Sequence, residues 1–239
     1  MVASGSVGSV AGVPTVVLRV WLPDRPGALG QVASRIGAVR GDVLGIEILE
    51  TGGGRVIDEL AVALDDLALV DLMVAEVGAV DGVSVEHVRP VDGDLVDPDL
   101  AALEVGAQLA EAVPSRRVGV LCEGTRRIGD ADWAVVVRDG AVVERSGAPP
   151  QLDWLLAFLA GSNHLDAGEH RSNGSPSDLV WAHLPRSGIS VAAGRAQRPV
   201  HERERVRMAL LARVADALLM SSAPEVSEAA SSADQPSAH

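Results

Sequence analysis

The chain has 239 residues and a formal net charge of −13, with 47% hydrophobic and 22% charged residues. That balance belongs to a globular chain with a buried core, long enough for one large or two small domains. Its acidity argues against binding a phosphate backbone, and its single cysteine, Cys122, excludes an internal disulfide and a disulfide-built secreted domain.

Residues 1–13 are small and uncharged and read as a flexible leader without the basic start and apolar run of a signal peptide. A first strand is predicted over Thr15–Leu22, where Val16, Leu18, Val20 and Leu22 alternate on one face. Pro23-Asp24-Arg25-Pro26-Gly27 ends it. A helix follows to about Arg40, with Leu29, Val32, Ile36 and Val39 on one stripe, Pro26 at its first position and Gly41 as its stop. Asp42–Thr51 and Arg55–Leu64 read as a hairpin around Gly52-Gly53-Gly54, and Asp65-Asp66 introduces a second helix running to about Val80. Val83–Arg89 is the fourth strand. The order strand, helix, strand, strand, helix, strand predicts an α+β unit of the ferredoxin-like βαββαβ kind, with both helices on one face of an antiparallel sheet.

An Asp/Pro-rich link, residues 92–98, leads to a second α+β unit over 99–220. A helix is expected over Asp97–Val113, strands over Arg117–Cys122, Asp132–Arg138 and Ala141–Arg145, and a helix over Gln151–Ala160. Gly161–Ser177 reads as a polar loop. A strand pair, Leu179–Leu184 and Ile189–Gly194, and a long amphipathic helix over Arg203–Met220 complete the unit. Its strands need a core of their own, so the two units are expected to be separately compact. Residues 221–239 carry few large apolar groups and are expected to be disordered.

The stretch LRVWLPDRPGALGQVASRI, followed by GDVLGIEIL and GGRVIDELAVAL, resembles the ACT domain family over residues 14–91. The resemblance implies a regulatory module that binds an amino acid or related effector where two domains meet, and therefore a homodimer. By position it implies a ligand site at the first strand-to-helix turn, Asp24, Arg25, Pro26, Gly27, Ala28 and Leu29. The facing second strand of a partner would supply Val43, Leu44, Gly45 and Ile46. The chemistry of the turn agrees: a helix N-terminus presents unpaired N–H groups to a carboxylate, and Gly27 permits close approach. Asp24 is the expected acceptor for an ammonium group, although Asp24 and Gly27 are also residues that shape or cap a helix start. The stretches ADWAVVVRDGAVVERSG and DLVWAHLPRSGISVAAGR, with the closing helix, resemble a GAF-type fold, without a chromophore-attachment cysteine or a cyclic-nucleotide signature.

No catalytic residues, metal ligands or cofactor are expected. Cys122 follows an apolar run and reads as an inert buried thiol. The histidines lack metal-binding spacing, and no phosphate-binding loop or Gly-x-Ser-x-Gly motif occurs. Arg186, Arg195 and Arg198 are a weaker candidate anion pocket. With no apolar run of about 18 residues, no membrane span is expected and the protein reads as cytoplasmic. The expected function is an amino-acid sensor that relays to the GAF-like unit. The alternative is a ligand-free dimerisation scaffold.

Overall fold

The computed structural model describes residues 13–91, 93, 95–162, 178–196 and 198–220. The leader up to residue 12, most of the predicted polar loop with His164 and His170, and the C-terminal tail lie outside them.

The first unit runs β1 (Thr15–Pro23), α1 (Ala28–Ala38), β2 (Asp42–Gly52), β3 (Arg55–Ala63), a 3₁₀ turn (Leu67–Leu69), α2 (Val70–Gly78) and β4 (Ser84–Pro90). The strands lie in the order β2-β3-β1-β4, all antiparallel to their neighbours. This is the expected ferredoxin-like sheet. Val16, Leu18, Val20, Leu60 and Val62 face α1 and α2 and form one core with Val32, Ile36, Met73 and Val77. Alternate residues, among them Arg19, Trp21, Glu59 and Glu47, take the opposite face because strand side chains alternate.

Local details differ from the sequence reading. α1 begins at Ala28, with Gly27 as its N-cap in the left-handed region (φ 85°), so Pro26 sits in the preceding turn. At the helix end Arg40, at φ 63°, makes the left-handed step. Gly41 is required for another reason: a Cβ there would lie 2.7 Å from Ile36 Cγ2 and 3.1 Å from Val62 Cγ1. Asp66 caps the 3₁₀ turn by accepting from the Ala68 N–H, and only then does α2 start.

The second unit runs α3 (Pro98–Glu111), a 3₁₀ turn (Pro114–Arg116), α4 (Arg117–Ile128), β5 (Trp133–Arg138), β6 (Ala141–Gly147), α5 (Leu152–Ser162), β7 (Leu179–Leu184), β8 (Ile189–Gly194) and α6 (Glu202–Met220). Its sheet has the order β6-β5-β8-β7 and is antiparallel throughout. Both faces are covered. Ala134, Val136, Val191 and Ala193 pack with Val105, Leu121, Met208 and Leu211 of α3, α4 and α6. Val135, Val137, Trp181 and Ala192 pack with Leu155 and Leu159 of α5.

The predicted strand at Arg117–Cys122 is the first half of α4. Its short apolar run satisfied either period. The period that wins buries Leu121, Cys122 and Thr125 on one helix face, and the helix continues through the polar Thr125-Arg126-Arg127 that a strand reading had excluded. α3 is capped by Asp97, whose carboxylate accepts from the N–H groups of Asp99 and Leu100.

The units meet through charge. The sheet face opposite α1 and α2 lies against the start of α6. Glu204 accepts from Arg19 Nη2 of β1 and from Arg195 Nη2 of the second unit, each at 2.8 Å, and from the His201 N–H at 2.9 Å. Arg19 also reaches Glu59 at 2.5 Å and the Pro199 carbonyl at 3.0 Å. His201 Nε2 lies 2.7 Å from Glu86, which also accepts from Trp21 Nε1 at 3.0 Å. Further along, Arg203 and Arg207 of α6 bind both Glu47 of β2 and Asp99 of α3.

Burial by itself would raise the Glu204 carboxyl. Arg195, Arg19 and the His201 amide outweigh it and hold the group at about 2. A depressed carboxyl contributes stability above its unfolded value and loses it as pH falls through the folded value. Urea unfolding midpoints should therefore drop between about pH 4.5 and 2, partly through this group. Glu204→Gln should cost about 3–5 kcal/mol at pH 7, because two buried guanidinium groups lose their shared anion. A chemical denaturation series at both pH values checks this; a cost below 1 kcal/mol would show the network to be incidental.

Candidate functional site

The turn between β1 and α1 is held by backbone hydrogen bonds. The Asp24 N–H donates to the Gly54 carbonyl at 2.9 Å, tying the turn to the β2–β3 hairpin. The Arg25 N–H donates to the Pro23 carbonyl at 2.8 Å, and its guanidinium donates to Gln31 Oε1 at 3.2 Å. No side chain caps α1, and no acidic residue stands in its first turn. Asp24 therefore does not act as the cap, and the helix start is left with positive character facing solvent. A Cβ at Gly27 would meet no atom within 4 Å, so the space in front of the turn is open. Ala28 is buried and Leu29 half-buried, which places them as the floor of the turn.

The other predicted residues lie elsewhere in the same chain. β2 and β1 run parallel with β3 between them. Val43 falls in the row of Val62 and Val16, and Ile46 in the row of Leu60 and Leu18, whereas the turn follows Pro23 at the opposite end of the sheet. Val43, Leu44, Gly45 and Ile46 therefore stand about 16–25 Å from the turn, taking about 3.3 Å per strand residue. β2 is an edge strand, with a register shift at Leu44, and Leu44, Ile46 and Ile48 are each about half exposed on it (51%, 48% and 51%).

Sequence reading missed Asp58. This residue of β3 is 4% exposed, and its Oδ1 has no hydrogen-bond partner among the described residues. It stands opposite Val20 of β1 and Ile48 of β2, on the face that carries α1. Burial raises its carboxyl above the ordinary value. The available signal was a polar residue in phase with Val56, Leu60 and Val62 on the core face of the strand.

The remaining candidates resolve as structural groups. Cys122 is 1% exposed, its Sγ lies 3.5 Å from the Ala134 carbonyl, and burial, with help from Glu144 and Glu123, pushes its thiol up to about 12. Arg186, Arg195 and Arg198 do not converge on one pocket. Arg195 is consumed by Glu204 and the carbonyls of Gly129, Arg198 and Pro199. Arg198 binds Asp130, and the Arg186 backbone donates to Asp216 at 3.1 Å. A separate cleft of about 460 Å³ between α3, α4 and β6 is lined by Arg116, Arg127, Glu123 and Glu144. Its Glu123 is already bound by Arg126 and Ser146.

No protein-family model matches the chain, and no curated protein matches it. Solved structures similar to it include the ACT domain of a GTP pyrophosphokinase from Chlorobium tepidum (15% identity, TM-score 0.28), covering 34% of this chain and all of that one. The C-terminal domain of the MgtC protein from Mycobacterium tuberculosis is 16% identical (TM-score 0.31), covering 38% of this chain and all of that one. A formyltetrahydrofolate deformylase from Pseudomonas putida KT2440 is 12% identical (TM-score 0.31), covering 84% of this chain and 94% of that one. No helix among the described residues is long and apolar enough to cross a membrane.

Because the space in front of Gly27 is free, Gly27→Ala should cost only the strain of a left-handed conformation, about 1–2 kcal/mol, while Gly30→Ala, in the helix with open space around it, should be neutral or stabilising. Thermal unfolding of the two variants measures the difference. Equal behaviour would mean that Gly27 is not held at positive φ.

Proposed function

We propose that the chain is a regulatory sensor whose ACT-like unit, residues 14–91, binds an amino acid or a related small effector and passes the event to the second, GAF-like unit, without catalysing a reaction. The observation that carries this reading is the start of α1 at Gly27, which no side chain caps and in front of which the space is open. Such a terminus suits an anionic group such as a carboxylate.

The reading includes a homodimer, since the two halves of the implied site stand at opposite ends of one sheet. Antiparallel pairing of two β2 edges about a two-fold axis would set Val43–Ile46 of one protomer toward the β1–α1 end of the other. The exposed Leu44, Ile46 and Ile48 support β2 as the pairing edge. The buried contacts of Arg19, Glu204 and Arg195 supply a connection to the second unit, because a shift of the first sheet would have to move α6. A four-stranded sheet with α4 and α6 on one face and α5 on the other supports the GAF-like description. A cytoplasmic location belongs to the same reading.

The exposed β2 edge also favours a second reading, a dimerisation scaffold without ligand. Calorimetry of the full chain against the twenty amino acids separates the two. An effector at 100 times its Kd should add about 2.7 kcal/mol of stability. Absence of heat and of thermal shift with all twenty would leave the scaffold. Sedimentation should give a dimer at micromolar concentration, and Ile46→Glu should convert it to monomer; a wild-type monomer would remove both readings of the β2 edge.

A further inference from the structure

The position of Asp58 relative to α1 follows from two contacts already described. Gly41 brings Ile36 against Val62, so the end of α1 lies over the row of Val62 and Val16. Back along the helix from Ile36 to Ala28 is about 12 Å at 1.5 Å per residue. Back along β3 from Val62 to Asp58 is about 13 Å at the strand rise. Both steps run toward the same end of the sheet. The first turn of α1 therefore comes over the row Val20, Asp58, Ile48. Asp58 stands one strand in from the β2 edge, at which its neighbour Ile48 is 51% exposed.

An unpartnered carboxyl in that position is costly in the free protein, whether it ionises without a counter-charge or holds a proton at neutral pH. Apolar residues fill the equivalent rows, so packing does not demand an acid there: Leu60 and Leu18 form the next row and are both fully buried. The uncapped N–H groups of α1 and the buried carboxyl beneath them present opposite charge character within one turn of helix. That is the arrangement which complements an α-amino acid zwitterion, whose carboxylate and ammonium are both borne by one carbon.

We propose that Asp58 is the cation-receiving group of the effector site, accepting the α-ammonium of an amino acid whose carboxylate lies on the first turn of α1. This rests on the sensor reading above and refines it: Asp24, the acceptor expected from sequence, is exposed and is replaced in that role by Asp58. The site thereby selects amino acids over the corresponding 2-hydroxy and 2-oxo acids. A cation arriving at Asp58 also favours its ionised form, so binding releases protons at pH values where the free carboxyl is still partly protonated.

The test is calorimetry on the full-length protein with the L-amino acid that binds, its N-acetyl derivative and its 2-hydroxy analogue, for the wild type and for Asp58→Asn. In the wild type the two analogues should bind about ten- to a hundredfold more weakly than the amino acid, the range expected for losing one charge-assisted hydrogen bond. In the variant the amino acid should fall to the level of the analogues. The variant should unfold at a temperature no lower than the wild type, since no partner of Asp58 is lost; a structural carboxyl would give the opposite. For the wild type alone, heats measured in buffers of different ionisation enthalpy across the acid-to-neutral range should reveal proton release that fades as pH rises, a readout independent of how the variant folds. Amino-acid binding that survives Asp58→Asn unchanged, or that releases no protons, overturns the assignment and leaves the sensor reading standing. No binding of any amino acid to the wild type overturns both.

Discussion

One buried carboxylate anchors the contact between the two units, with ion pairs of His201, Arg203 and Arg207 beside it. Glu204 stands at the start of α6 and is shared by Arg19, from the first sheet, and Arg195, from the second unit. Neither arginine has enough exposed surface to be satisfied by water, with side chains 7% and 2% exposed. Arg195 has Glu204 as its carboxylate partner among the described residues, while Arg19 is held by Glu59 as well. Because hydrogen-bonded charges are directional, the contact fixes an angle between the units as well as holding them together, which a purely apolar contact would do less strictly.

This explains why the open face of the first sheet carries Arg19, Glu59, Glu47 and Trp21 in phase, while its other face is almost wholly aliphatic. A ferredoxin-like sheet leaves one face without helices. Here that face is closed by charge from α6, with Leu49 and Ile57 buried among the polar groups. Closing the face leaves the β2 edge and the β1–α1 turn uncovered among the described residues. The polar seam and the free turn thus belong to opposite surfaces of one sheet. Strain or ordering at the turn has a short route, through the strands themselves, to Arg19 and so to α6.

Much of the first unit was legible because its strands are half-buried and its hairpin turn is glycine-rich. Period-two alternation at Val16, Leu18, Val20 and Leu22 left little choice of face or register. The turn at 24–29 was legible for the same reason: Pro26 and Gly27 punctuate a change of period. In the second unit the same tools were weaker. β5 and β8 are buried on both faces and so show runs of Val and Ala without alternation, and the apolar start of α4 is too short for periodicity to separate helix from strand.

Sequence by itself determined the order of elements over residues 14–91, the acidic character of the chain and the place of the β1–α1 turn. All three depend on local spacing or on composition. Tertiary structure alone decided three other matters: that Arg19 and Glu204, 185 residues apart, share one buried ion pair, that Val43–Ile46 lie far from the turn within one chain, and that Asp58 is buried with an oxygen that has no partner among the described residues. Each is a relation between residues distant along the chain, and a carboxylate in a strand looks the same in sequence whether the fold leaves it in water, pairs it with an arginine or closes a helix over it.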